Sequence, residues 1–163
     1  MFTKLLVAYD GSDGAKRALN AGIALAKSLA LDLHAVMVEE GLPPYAGTML
    51  DTLSMYGQTS VAAIPIVDRS GEMEAVKDRK DAYFEQLSRE ASELTQSQGV
   101  ALHAEVVVGH EVGAIVDYVK RHGFDLLLIG AHGHSALYER IIGTTAHGLL
   151  SQAPCNVLIV KQA

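Results

Sequence analysis

Short apolar runs alternate with amphipathic stretches along the chain. Leu5–Tyr9 is an apolar run that ends in the turn-forming cluster Asp10-Gly11-Ser12-Asp13. From about Gly14 to Ala30, the residues Ala18, Ala21, Leu25 and Leu29 recur at helical spacing. Leu33–Val38 is a second apolar run. A long helical pattern, Glu72 to Ser97, is rich in Glu, Lys, Arg and Ala and meets a stop at Gly99. Its charges predict a solvated face. Ala101–Val108 is a third strand, followed by a helix over Val112–Arg121 with Ile115, Val116 and Val119 inward. Asp125–Ile129 is a fourth strand, Gly143–Ser151 a helix, and Asn156–Val160 the last strand.

Strands and helices in alternation predict an open α/β sandwich. Strands this apolar predict a parallel sheet covered on both faces, and right-handed crossovers place helices on both sides. Ligands of such sheets sit beyond the carboxyl ends of the strands, where strand order reverses. The residues to inspect are therefore Asp10-Gly11-Ser12, Val38-Glu39-Glu40, Gly109-His110-Glu111 and Gly130-Ala131-His132-Gly133.

One segment breaks the rhythm. Gly41 to Val67 lacks periodicity, carries Asp51 as its single charge, and holds Pro43, Pro44, Pro65, Tyr45 and Tyr56. An apolar segment of this length reads as a flap or arm at about 41–70, covering either a ligand or a second subunit, or as a loop packed on its own domain.

The chain's 163 residues predict a single domain, 1–163. Its net charge of −6 argues against a nucleic-acid partner. Backbone amides can still hold one small anion without Lys or Arg. Cys155 is the only cysteine and reads as a small buried hydrophobe. No apolar run reaches the roughly 18 residues of a membrane helix. With no secretory signal at the start, the expected setting is soluble, reducing and cytoplasmic.

The feature richest in chemistry is Gly130-x2-Gly133-x9-Gly143-Thr144, running from the end of the fourth strand to the start of a helix. Glycines let backbone approach a phosphate closely, and a helix N-terminus offers free amides and a favourable dipole. Thr144 and Thr145 add hydroxyls. Such glycines also serve as an ordinary turn. The loop is not a GxxxxGK[ST] phosphate loop, since no Lys lies between Gly130 and Gly143, and the first turn lacks GxGxxG. Asp10, at the end of the first strand, can accept from a ribose hydroxyl or help hold a phosphate-bound metal. Alternatively it, Ser12 or Asp13 caps the first helix.

These pieces resemble the universal stress protein family from end to end. The matching stretches are KLLVAYDGSDGAKRAL, GHEVGAIVDYVKRHGFDLLLIGAHG and GTTAHGLLSQAPCNVLIVK. The glycine spacing is that of the family's ATP-binding branch. The resemblance implies a five-stranded parallel sheet of order 3-2-1-4-5, Rossmann-like and similar to the adenine nucleotide alpha hydrolase sandwich. It implies an ATP or AMP ligand, with Mg2+ as an optional companion, and a stress-response regulatory role. By position, Ala8, Tyr9 and Asp10 would lie near adenine and ribose, and Val38 would hold the adenine edge. Ile129 and Gly130 would lie near the ribose, with His132 and Gly133 near the phosphates. Gly143, Thr144 and Thr145 would hold the phosphates. The family often dimerises through the last strand, here Asn156–Val160.

Competing readings are weaker. A slow ATPase has only Asp10, His132 and His134 as candidate bases, and Arg140 as the nearest cation. A phosphoacceptor domain needs an Asp after its third strand, where Val108-Gly109-His110 stands. A flavin carrier is disfavoured by the absence of Trp. His132 and His134 lack a third ligand at diagnostic spacing, so no metal site is expected. His103 is placed at an edge or surface, and His34, His110 and His122 read as structural or solvated.

Overall fold

The computed structural model describes residues 1–40, 70–132 and 142–161. The expected flap, together with Gly133, His134 and Arg140, lies outside the described residues. In chain order the elements are β1 (Leu5–Ala8), α1 (Asp13–Leu29), β2 (Leu33–Glu39), α2 (Ser70–Gln96) and β3 (Leu102–Val108). Then follow α3 (Glu111–His122), β4 (Leu126–Gly130), α4 (Thr144–Gln152) and β5 (Asn156–Val160). The strands form one five-stranded sheet of order β3-β2-β1-β4-β5, and every pairing is parallel. Both findings match the expected architecture.

The alternation of side chains along each central strand builds two cores. Leu5, Val7, Leu33, Ala35, Met37, Leu126 and Leu128 point to the face covered by α1 and α2, meeting Leu19, Ile23 and Ala91. Leu6, Val36, Leu127 and Ile129 point the other way, against Ile115, Val119 and Leu149 of α3 and α4. Burial on both faces holds only for β1, β2 and β4. The edge strands differ from expectation: Val106 and Val108 of β3 and Leu158 of β5 are exposed, because each edge strand has a neighbour on one side only. Cys155, expected to be buried, is half-buried at the margin of the second core. Burial there raises its thiol pKa.

The local chemistry of α1 shows why the helix sits where it does. Ser12 is its N-cap, the Oγ accepting from the Ala15 N–H at 3.2 Å. Asp10 is therefore not the cap. Its Oδ1 accepts from the Ser12 N–H at 2.9 Å and so shapes the turn that feeds the cap. The buried stripe runs through Ala18, as expected, and through Leu19, Gly22, Ile23 and Ala26, while the expected Ala21, Leu25 and Leu29 are half-buried at its margin. Gly22 lies at the centre of the stripe. A Cβ there would stand 2.9 Å from Val7 Cγ2 and 3.2 Å from Leu33 Cδ1, so the bare backbone sets α1 down on the sheet.

At the amino-terminal end of the sheet a cluster of rings spans three elements. His34 of β2 pairs in register with His103 of β3, and their rings stack at 4.9 Å. Phe124 meets His34 edge-on at 5.1 Å and carries Lys4 Nζ at 4.8 Å over its own face. Burial first, then the neighbouring His103, Lys4 and His122, hold the His34 pKa below 6.5, and Asp32 opposes them. The unfolded chain thus takes up this proton more readily than the folded one. Stability is then present above about pH 6.5 and lost as pH falls below it. Thermal melts taken between about pH 7.5 and about pH 5.5 should show Tm falling on the acid side. His34→Gln should lose less over the same interval; an equal loss would place the acid sensitivity elsewhere.

Candidate functional site

The sheet carries a notch at its carboxyl edge. β1 ends at Ala8, while β2 runs to Glu39 and β4 to Gly130. The ladder closes with the Tyr9 N–H donating to Val36 O at 2.9 Å, and the two neighbours extend past it. This is also the reversal point of the 3-2-1-4-5 order, where crossovers leave β1 and β4 toward opposite faces. A cavity of about 630 Å3 occupies the notch. That is the size of a small-molecule site.

All the candidate residues that fall among the described residues line this cavity: Ala8, Tyr9, Asp10, Val38, Ile129, Gly130, His132, Gly143, Thr144 and Thr145. The floor is apolar, from Ala8, Val36, Val38, Ile115 and Ile129. Tyr9 is 2% exposed. Its hydroxyl has no hydrogen-bond partner among the described residues. Burial first, then Glu90, Asp10 and Tyr83, push its pKa up to about 12. It lines the cavity as a neutral phenol.

Three of the glycines at or beside the cavity have different reasons to be glycine. Gly14, in the first turn of α1, lies directly against the chain leaving β4. A Cβ on Gly14 would stand 2.0 Å from His132 O, and one on Gly130 would stand 2.5 Å from the Gly14 carbonyl carbon. Gly130 is thus demanded by packing, backbone on backbone. Gly143 is not. Its φ of −60° and ψ of 157° suit any residue, and among the described residues a Cβ would meet only Ala131 O, at an ordinary 3.4 Å, and the His132 Cα. No described residue bars a side chain here, and what its absence provides is space beside α4.

Gly143 is the N-cap of α4, supplies no side-chain cap, and donates its own amide to Ala131 O at 2.9 Å. The first amides of α4 are left without intrahelical acceptors, as at any helix start, and the helix dipole adds partial positive charge there. Thr144 and Thr145 line the cavity at this end. The Thr145 hydroxyl, expected to donate to phosphate oxygens, donates instead to Glu111 Oε2 at the start of α3.

Sequence reasoning missed one wall of this cavity and left a residue of another without a role. Tyr83, Phe84 and Leu87 of α2 line it. The Tyr83 hydroxyl donates to Asp10 O at 3.4 Å, and its ring meets Phe84 edge-on at 5.4 Å. The spacing of Phe84, Leu87 and Ala91 within the charged pattern was the available signal. Glu111 stood among the residues to inspect after the third strand, but no role was assigned to it. Its proximity to Thr145 arises from the packing of α3 on α4, where Gly148 admits Val112, and no local motif announces it.

Fold and cavity together define an open, doubly wound α/β protein with a small-molecule pocket at its switch point. The Universal stress protein family model matches residues 1–161. The chain belongs to the universal stress protein family. It is 29% identical over 161 residues to universal stress protein YxiE of Bacillus subtilis, covering 99% of this chain and 100% of that one. Among solved structures it is similar to a universal stress protein family protein from Arabidopsis thaliana with AMP bound. That likeness has a TM-score of 0.63 at 17% identity, covering 99% of this chain and 92% of that one. It is also similar to a universal stress protein in complex with cAMP, with TM-score 0.59, 21% identity, and 98% and 96% coverage. No helix among the described residues is long and apolar enough to cross a membrane.

Proposed function

We propose that this chain is an adenine-nucleotide-binding regulatory protein of the stress response, with AMP or ATP as ligand. The observation that carries the reading is Gly143. No described residue requires a glycine there, yet the position lies beside the uncapped start of α4, where a phosphate needs bare backbone. The apolar floor formed by Ala8, Val36 and Val38 suits a purine. The AMP and cAMP complexes of family members with this fold support the same ligand class. In this reading Asp10 faces the ribose, Gly130 and His132 flank the sugar and phosphate, and Thr144 and Thr145 offer their amides to phosphate oxygens. Mg2+ would accompany ATP rather than AMP.

The test separates the two glycines. AMP at about 100 times its Kd should stabilise the parent by about 2.7 kcal/mol. For a chain of this size that corresponds to a rise in Tm of about 5–10 °C. Gly143→Val should melt within a degree or two of the unliganded parent and show no response to AMP. Gly130→Ala should lose about 2 kcal/mol or more, with or without ligand, because backbone must move. A Gly143→Val protein protected by AMP as well as the parent would contradict the reading.

We further propose that two copies join through β5. Among the described residues this strand pairs only with β4, so its outer edge offers unpaired backbone groups. Leu158 on it is 39% exposed. Leu158→Lys should turn a dimer into a monomer by light scattering without lowering Tm. A dimer of unchanged size would rule this edge out.

A further inference from the structure

We propose that Glu111 sets how much phosphate charge the site accepts, so that the pocket favours adenosine monophosphates over metal-free polyphosphates. This rests on the nucleotide reading above and goes beyond it, to the ligand's charge state. Glu111 starts α3 and lines the cavity. Its carboxylate accepts the hydroxyl of Thr145 in the first turn of α4. A negative group is thereby fixed beside the helix start that would receive the phosphates. Asp10 and Glu40 also line the cavity, and no Lys or Arg does so among the described residues. The partial positive charge of one helix start is about half a unit. That suffices for a small anion but is outweighed when three or four phosphate charges approach a fixed carboxylate. Repulsion between like charges in a partly dehydrated cleft grows with each added unit. A single phosphate can contact the α4 amides while the Glu111–Thr145 hydrogen bond stays intact. In this proposal each further phosphate adds negative charge to a cleft that already holds the Glu111 carboxylate.

Calorimetric titration with AMP and with ATP, both in EDTA, tests this on the parent and on Glu111→Gln. Glutamine keeps an acceptor for Thr145 and removes the charge. The parent should bind AMP about tenfold or more tighter than metal-free ATP, equivalent to about 1.4 kcal/mol. In Glu111→Gln, ATP should tighten about tenfold while AMP changes less than about threefold. Raising salt should narrow the parent's preference more than the variant's. Should Glu111→Gln fail to fold, Thr145→Val releases the carboxylate from α4 and should shift the ratio in the same direction. An AMP-to-ATP ratio unchanged by the substitution, or a parent that binds both equally, overturns the assignment of Glu111 and leaves nucleotide binding standing. Failure of both proteins to bind either nucleotide overturns the nucleotide reading itself.

Discussion

The contact on which the architecture of the site depends is the meeting of Gly14 with Gly130. Two backbones approach more closely than any side chain permits, since a Cβ on either would lie within 2.5 Å of the other's segment. This allows the first turn of α1 to lie against the chain as it leaves β4. β1 can then stop at Ala8 while its neighbours continue, and the notch between them becomes a cavity rather than a packed seam. The Asp10–Ser12 turn and the Ser12 cap hold α1 at that entry point. Gly22 does the same about two turns further on, by letting the helix settle on Val7 and Leu33.

The electrostatic character of the cavity follows from this framework. Its attractive element is the start of α4, a set of amides presented without a competing side-chain cap. Its opposing element is Glu111, brought across by the packing of α3 on α4. The lining thus balances an anion-attracting main chain against carboxylates, over an apolar floor. Such a balance suits a ligand with one broad apolar ring and one small anionic group.

Much of this was legible in the sequence, for identifiable reasons. The central strands declare themselves because burial on both faces leaves no room for polar residues, as LLVA and LLLI show. The edge strands were harder, since β3 carries His103 and Glu105 and exposes its valines. The loop glycines were visible as a motif, but a motif cannot say which glycine serves packing and which serves a ligand. That distinction needs the distance from a hypothetical Cβ to its surroundings. The α2 wall was hidden because charged residues surround Phe84 and Leu87 and dilute their periodicity. The pairing of Glu111 was hidden for a different reason: its partner Thr145 lies 34 residues away, and only tertiary packing joins them.

The central claim is that main-chain amides at the start of α4 hold a phosphate. Amide chemical shifts of 15N-labelled protein during titration with AMP measure this directly. The account predicts the largest perturbations at Thr144 and Thr145, together with Ala8, Asp10 and Val38 at the strand ends. Saturating shifts confined to residues outside the notch, with the α4 amides unmoved, would contradict it.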